Sequence, residues 1–397
     1  MAKLKARPFL PFISLISLLL LFFFVFPFPT SPFQSRRSSF TVPPNSFPTA
    51  PRIAYFITGS VGDKDRILRL LFAVYHPRNR YLLHLDARAS QQEREDLAAD
   101  VGSVYVFKAV GNVDVIGSGD TVNYGGSTPI ASLLHGAAIL LKLWGDWDWF
   151  VNLGAGDYPL ITQDDFLHIL SFLPREFNFI DHTSKIGWKE YQRVKSIVVD
   201  PGIYLASLRG RMFVGSRTRP LPAAYKFFTG SPFVILNRKL IDFSVLGYDN
   251  LPRTLLLYFA NVQASHQGYF QTLACNSRQF RTAVINSNLR FEVWDNPPQL
   301  EPRNLKLSDF KRMVASGAAF AGSFQPNDPA LDKIDKTILH RRWGRLAPAG
   351  WCVGSDPCEQ LGELDVIRPG RGAKRFEKHL LKLLATHNSR SNVCAFR

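Results

Sequence analysis

From residue 52 onward, apolar positions recur with two alternating periods. The run 53–58 is apolar from Ile53 to Ile57, as a strand buried on both faces would be, and Gly59-Ser60-Val61-Gly62 follows it as a turn. Asp63 stands where a helix cap is expected, and Ile67, Leu70, Leu71 and Val74 then repeat at helical spacing before Pro77 ends the pattern. A strand at 81–85 ends in Asp86-Ala87-Arg88, and a polar helix at 91–99 comes next. Strands are expected near 104–107 and at 113–116, then a helix at 129–142 that opens on a proline, and a strand at 149–153. This alternation predicts an α/β fold with a largely parallel sheet covered by helices.

Beyond about residue 174 the chain turns irregular, aromatic and basic, with long loops such as 201–222 of the kind that carry function. Helical periodicity resumes at 264–275. At 373–384 it places Phe376, Leu380, Leu383 and Leu384 on one face and Lys374, Arg375, Lys378 and Lys382 largely off it, the pattern of a docked amphipathic helix.

The first fifty residues follow another rule. Lys3, Lys5 and Arg7 precede an apolar run at 9–28, and no acidic residue occurs before Asp63. The run has about the length that spans a bilayer and ends in Phe26-Pro27-Phe28-Pro29, without a small-residue cleavage site. It is therefore expected to be a single transmembrane signal anchor, with a cytosolic tail at 1–8 and the remainder in the lumen. Residues 29–51, rich in Pro, Ser and Thr, read as a flexible stem, and 52–397 as the luminal domain.

The 397 residues carry a formal net charge of +16, which raises nucleic acid as a partner, but a luminal domain excludes it. Acidic glycans, anionic lipid or a nucleotide diphosphate suit that compartment better. Cys275, Cys352, Cys358 and Cys394 are even in number and not spaced as zinc ligands, so two disulfides are expected, with three pairings open.

The chemistry gathers around Trp149-Phe150-Val151-Asn152-Leu153-Gly154-Ala155-Gly156-Asp157-Tyr158-Pro159-Leu160, where Asp157 follows a buried strand at the end at which open α/β sheets bind ligands. An Asp in such a turn is also a common helix cap. This segment, together with Ile186-Gly187-Trp188-Lys189-Glu190-Tyr191, Phe228-Thr229-Gly230-Ser231 and Val293-Trp294-Asp295-Asn296-Pro297-Pro298, resembles the core-2/I-branching β-1,6-N-acetylglucosaminyltransferase family. The resemblance runs from about residue 52 to the C-terminus and is nearest to the family's plant β-glucuronosyltransferase branch, with the peptide O-xylosyltransferases also related.

The resemblance implies a GT-A-like nucleotide-sugar-binding unit with an attached acceptor-binding half, a UDP-sugar donor, inversion at the anomeric carbon and no divalent metal or other cofactor. Gly154-Ala155-Gly156-Asp157 agrees with the last point, offering one carboxylate where metal-dependent relatives pair two. On the donor side it implies Gly59, Ser60, Asp86, Arg88, Tyr124, Gly125 and Asp157, with Arg290 resembling a phosphate contact. On the acceptor side it implies Trp188, Lys189, Glu190 and Ser231.

Two positions depart from the family pattern. The family's Glu base falls on Gln267 in Ser265-His266-Gln267-Gly268-Tyr269-Phe270, and an amide has no usable basicity, which leaves His266 as a candidate substitute. The family's adjacent Arg and Lys, which bind the diphosphate, fall on Gly322 and Ser323, so positive charge must come from Arg290 or from Lys374 or Arg375 of the tail. Two readings follow: a Golgi transferase moving glucuronic acid or N-acetylglucosamine onto a galactose-containing glycan such as arabinogalactan, or a Golgi protein that binds glycan or nucleotide without catalysis.

Overall fold

The run that opens the domain is apolar at every position because both faces of its strand are buried. Tyr55 and Ile57 join one core while Ala54 and Phe56 join the other. The structure is a computed structural model; it describes residues 49–205, 211–296, 301–353, 358, 360–387 and 394. The expected anchor at 9–28 and the tail before it lie outside the described residues, as does almost all of the stem. Among the described residues no helix is long and apolar enough to cross a membrane.

The strands are β1 (Ile53–Gly59), β2 (Arg80–Leu85), β3 (Val113–Val115), β4 (Trp149–Gly154), β5 (Tyr158–Pro159), β6 (Asn178–Ile180), β7 (Ser196–Val199), β8 (Phe213–Thr218), β9 (Val234–Asn237), β10 (Val284–Ile285), β11 (Arg290–Phe291), β12 (Phe320–Ala321), β13 (Cys352–Val353) and β14 (Gln360–Leu361). The main sheet runs β10-β6-β9-β4-β1-β2-β3. β1 pairs in parallel with β2 and β4, and β2 with β3, as the alternation of strand and helix requires. β9 is antiparallel to both its neighbours, so the sheet is mixed rather than uniformly parallel. A small sheet of β11, β12 and β5 stands beside the end of β4 and brings Arg290 and Phe320 next to the Asp157 turn.

One face of the main sheet is covered by the helices Lys64–Val74, Gln91–Ser103, Gln163–Ser171 and Arg371–His387, the other by Thr128–Leu143, Arg238–Leu246, Asn250–Phe259 and Tyr269–Asn276. Thr128–Leu143 lies so close to β1 that a Cβ on Gly136 would stand 2.5 Å from the Phe56 ring. The amphipathic tail docks as its pattern predicts, with the rings of Phe376 and Phe166 5.6 Å apart. Lys374 is exposed on it, and the Arg375 backbone packs against Gly317.

Three expectations are corrected. Residues 104–107, strand-like in propensity, instead enter the short helix Tyr105–Val110, which stops at Gly111 with φ 64°. The edge beside β2 is taken by β3, and burial of Val106 and Phe107 on one helical side overrides their β preference. Asp63 makes no side-chain cap to the helix after it; its carboxylate accepts the Ser60 N–H and the Arg66 guanidinium instead. The 264–275 pattern is broken at Gly268 into a single 3₁₀ turn and the helix Tyr269–Asn276. The cysteines pair Cys275–Cys394 and Cys352–Cys358, the first tying the chain's end back to Tyr269–Asn276.

Candidate functional site

The parallel strands β1 and β2 end side by side, which brings Gly59 and Ser60 against Asp86 although they are far apart in sequence. Asp86 is buried and accepts from the Ser60 hydroxyl at 3.1 Å, from the Arg88 N–H at 2.9 Å, and from the Arg88 Nε and Nη2 at 3.0 and 2.8 Å. That fork holds Arg88 firmly protonated, while its side chain stays 54 % exposed and able to face a ligand.

Tyr124 and Gly125 belong to a loop fixed from both sides. Gly125 and Gly126 carbonyls accept the N–H groups of Ala264 and Ser265 at 3.0 and 3.2 Å, and the Tyr124 ring meets His266 edge-on at 5.9 Å. Asp200, which sequence reasoning missed, closes the other side. Its carboxylate accepts the N–H groups of Ser127 and Thr128, both at 3.0 Å, and the Thr128 hydroxyl at 2.8 Å. It thereby caps the helix Thr128–Leu143, which lacks a cap of its own. A Cβ on Gly126 would lie 2.1 Å from the Asp200 Oδ2, so the Gly-Gly pair was the only signal of this approach.

Asp157 is turned inward. It accepts the Gly154 N–H at 2.7 Å and both terminal nitrogens of Arg290 at 2.9 and 2.7 Å. Both side chains are below 5 % exposed, Arg290 lies 3.4 Å from the Phe233 ring centroid, and Glu292 adds a contact at 3.3 Å. Burial pushes the Asp157 and Glu292 carboxyls above the ordinary carboxylate range, and Arg290 pulls both back. Arg290, expected at the phosphates, is therefore spent on a buried ion pair. Gly322 leaves room for that pair, since a Cβ there would stand 2.3 Å from Asp157 Oδ1 and 2.4 Å from Arg290 Nη2. Ser323 lies over Gly156, whose missing Cβ would be 2.4 Å from its hydroxyl.

At the position of the base, Gln267 Oε1 accepts from Arg193 Nη1 at 2.8 Å, and Arg193 Nη2 reaches Thr229 Oγ1 at 3.2 Å. Arg193 was not foreseen, as it sits in an ordinary-looking helix, Trp188–Lys195. His266 is buried beside Gln267, and burial, helped by the Arg193 charge, lowers its pKa to about 4. It is thus neutral and only weakly basic near pH 7.

Of the residues expected on the acceptor side, Trp188 is 73 % exposed, while Ser231 is buried. The Ser231 N–H donates to Asp181 Oδ2 at 3.1 Å and its hydroxyl accepts from the Phe233 N–H at 3.2 Å. The side chains of Lys189 and Glu190 lie outside the described residues.

A model of the core-2/I-branching enzyme family matches residues 53–314. The chain belongs to that family. It is 49 % identical over 355 residues to beta-glucuronosyltransferase GlcAT14A of Arabidopsis thaliana, covering 88 % of this chain and 79 % of the relative. It is 45 % identical over 387 residues to GlcAT14C of the same plant, covering 97 % and 96 %. A xylosyltransferase of Ciona intestinalis is 28 % identical over 73 % of this chain and 32 % of its own length. This core-2/I-branching enzyme is a glycosyltransferase with plant relatives named as glucuronosyltransferases, and its mixed sheet with helices on both faces is the frame that carries the site.

Proposed function

We propose that this core-2/I-branching enzyme transfers glucuronic acid from UDP-glucuronic acid to a galactose-containing glycan of the arabinogalactan type, with inversion. The observation that carries the proposal is the Ser60–Asp86–Arg88 cluster at the carboxyl ends of β1 and β2, in a chain half identical to a β-glucuronosyltransferase. The half-exposed Arg88, fixed by Asp86, offers hydrogen bonds to a uridine nucleotide, and the braced Tyr124 loop borders the same end. N-acetylglucosamine is the second donor to test.

The transfer is proposed to need no divalent cation. Asp157 already accepts three N–H groups, so a metal would have to displace Arg290 from it. The protein is further proposed to be a single-pass type II membrane protein of the Golgi, on the strength of its basic start and the apolar run at 9–28. Protease protection of the C-terminus in sealed microsomes tests that topology.

A second reading, a family member that binds glycan or nucleotide without transfer, is favoured by one observation. Gln267 stands at the base position with its carbonyl oxygen held by Arg193. The two readings separate in one assay: the purified full chain is offered UDP-glucuronic acid and UDP-N-acetylglucosamine with an arabinogalactan acceptor, and UDP binding is measured by calorimetry. Turnover supports transfer. UDP binding without turnover supports the second reading, and absence of both overturns transfer and nucleotide binding alike.

A further inference from the structure

At the Gly156–Asp157 turn, a recess of about 280 Å³ is lined by Arg66, Arg69, Asp157, Gln325, Asn327 and Trp343. A second recess of about 220 Å³, more apolar, lies beside Leu68 and Phe72 and shares Asp65, Arg69 and Trp343 with the first. Trp343 stands between them and is 72 % exposed.

Its exposure is not slackness of the loop. Arg341, just before it, is buried, with its N–H on the Asp335 carbonyl at 3.0 Å and its Nε 3.0 Å from the Asp335 carboxylate. Just after it, Leu346 and Ala347 are buried, and the Ala347 N–H donates to the Phe72 carbonyl at 3.2 Å. A chain pinned on both sides presents the indole outward, although burying it would be favourable.

The charges of the recess decide what it fits. Arg66 is paired with Asp63 at 2.6 Å, and Arg69 with Asp332 and Asp335, both at 2.7 Å. The charge of both guanidinium groups is matched, Arg66 also donates to the Phe324 carbonyl at 2.8 Å, and Asp65 adds an exposed carboxylate. Such a surface disfavours phosphate and uronate. A flat indole flanked by Arg, Gln and Asn donors and acceptors instead suits a ring with an apolar C–H face and neutral hydroxyls.

We infer that Trp343 and its two recesses form a binding site for a neutral oligosaccharide, adjoining the Asp157 turn and not lined by Ser60, Asp86 or Arg88. The ring of one sugar stacks on Trp343 while its neighbours enter the recesses on either side. The site recruits glycan chains by binding alone, so it is read without turnover, and its failure is distinct from failure of the proposed transfer.

The test measures binding of neutral galacto-oligosaccharides, from the disaccharide to the hexasaccharide, to the full chain by saturation-transfer NMR and indole fluorescence, with UDP and an oligogalacturonide alongside. The expected result is affinity that grows with chain length, falls about tenfold or more in Trp343→Ala and is largely retained in Trp343→Phe. UDP binding and the thermal midpoint stay as in the parent chain, as an exposed side chain allows. The inference is overturned if no neutral oligosaccharide binds, if the oligogalacturonide binds more tightly than the neutral series, or if Trp343→Ala binds the series unchanged.

Discussion

The proposed uridine end and the proposed transfer end of this site spend their polar groups in opposite directions. At the first, a buried Asp86 organises Ser60 and Arg88 and leaves the guanidinium half in solvent. At the second, Arg290 is consumed by Asp157, and the Gln267 carbonyl oxygen by Arg193. The difference teaches that a family frame can leave the polar surface proposed for the nucleotide open while the groups at the positions proposed to move a proton and offset the diphosphate charge satisfy one another.

The widest break in that contrast comes from restoring a carboxylate. Gln267→Glu places a group that can accept a proton where the amide cannot, and general-base catalysis contributes about 10²–10⁴ in rate. Turnover with UDP-glucuronic acid is expected to rise by that order with UDP affinity unchanged. Unchanged turnover would mean that a missing base is not what limits the transfer end.

Next in size is the buried pair. Removing one partner of an ion pair that is excluded from water costs about 3–5 kcal/mol, because the other charge is left stranded. Arg290→Met is expected to destabilise the chain by that amount in urea unfolding, and the double variant Asp157→Leu, Arg290→Met to recover most of it. The same pair makes Gly322→Arg a poor single repair, since its Cβ would enter the space of Asp157 and Arg290. If Gly322→Arg alone leaves the thermal midpoint untouched, Arg290 is not held as firmly as the geometry says.

The uridine end gives a smaller, local effect. Asp86→Asn keeps the shape but loses the charge that orients Arg88, at about 1.5–3 kcal/mol for a hydrogen bond to a charged group. UDP binding by calorimetry should weaken by roughly ten- to a hundredfold. Equal binding in the variant would detach the cluster from the nucleotide.

How far the sequence alone reaches can be judged residue by residue. β1, β2 and β4 are legible because strands buried on both faces are continuous apolar runs between glycine turns, and Ser60, Asp86 and Arg88 are legible as strand-end residues that parallel pairing brings together. The reversed β9 is not, since four apolar residues carry no direction. Nor are the partners of Asp157 and Thr128, because Arg290 and Asp200 reach them across 133 and 72 residues and only the fold sets those distances. Glycines at 126 and 322 marked both approaches, yet a glycine reports crowding without naming the neighbour.

The smallest effect concerns His266, which links the two ends through its contact with Tyr124. Burial, together with the Arg193 charge, lowers its pKa from 6.5 to about 4, and its Nδ1 has no hydrogen-bond partner among the described residues. Between those two values the unfolded chain binds a proton at this position that the folded chain refuses. Stability from this group is therefore present above pH 6.5 and is lost as pH falls toward 4, at no more than about 1.4 kcal/mol per pH unit. His266→Phe keeps a ring against Tyr124 and removes the titrating group. Thermal midpoints measured from pH 7 to pH 4 should fall less steeply in this variant than in the parent chain, with the difference confined to that window. Parallel curves would show that His266 is reached by water and protons in the folded state, and that the transfer end is more open than the buried contacts of Gln267 and Arg193 imply.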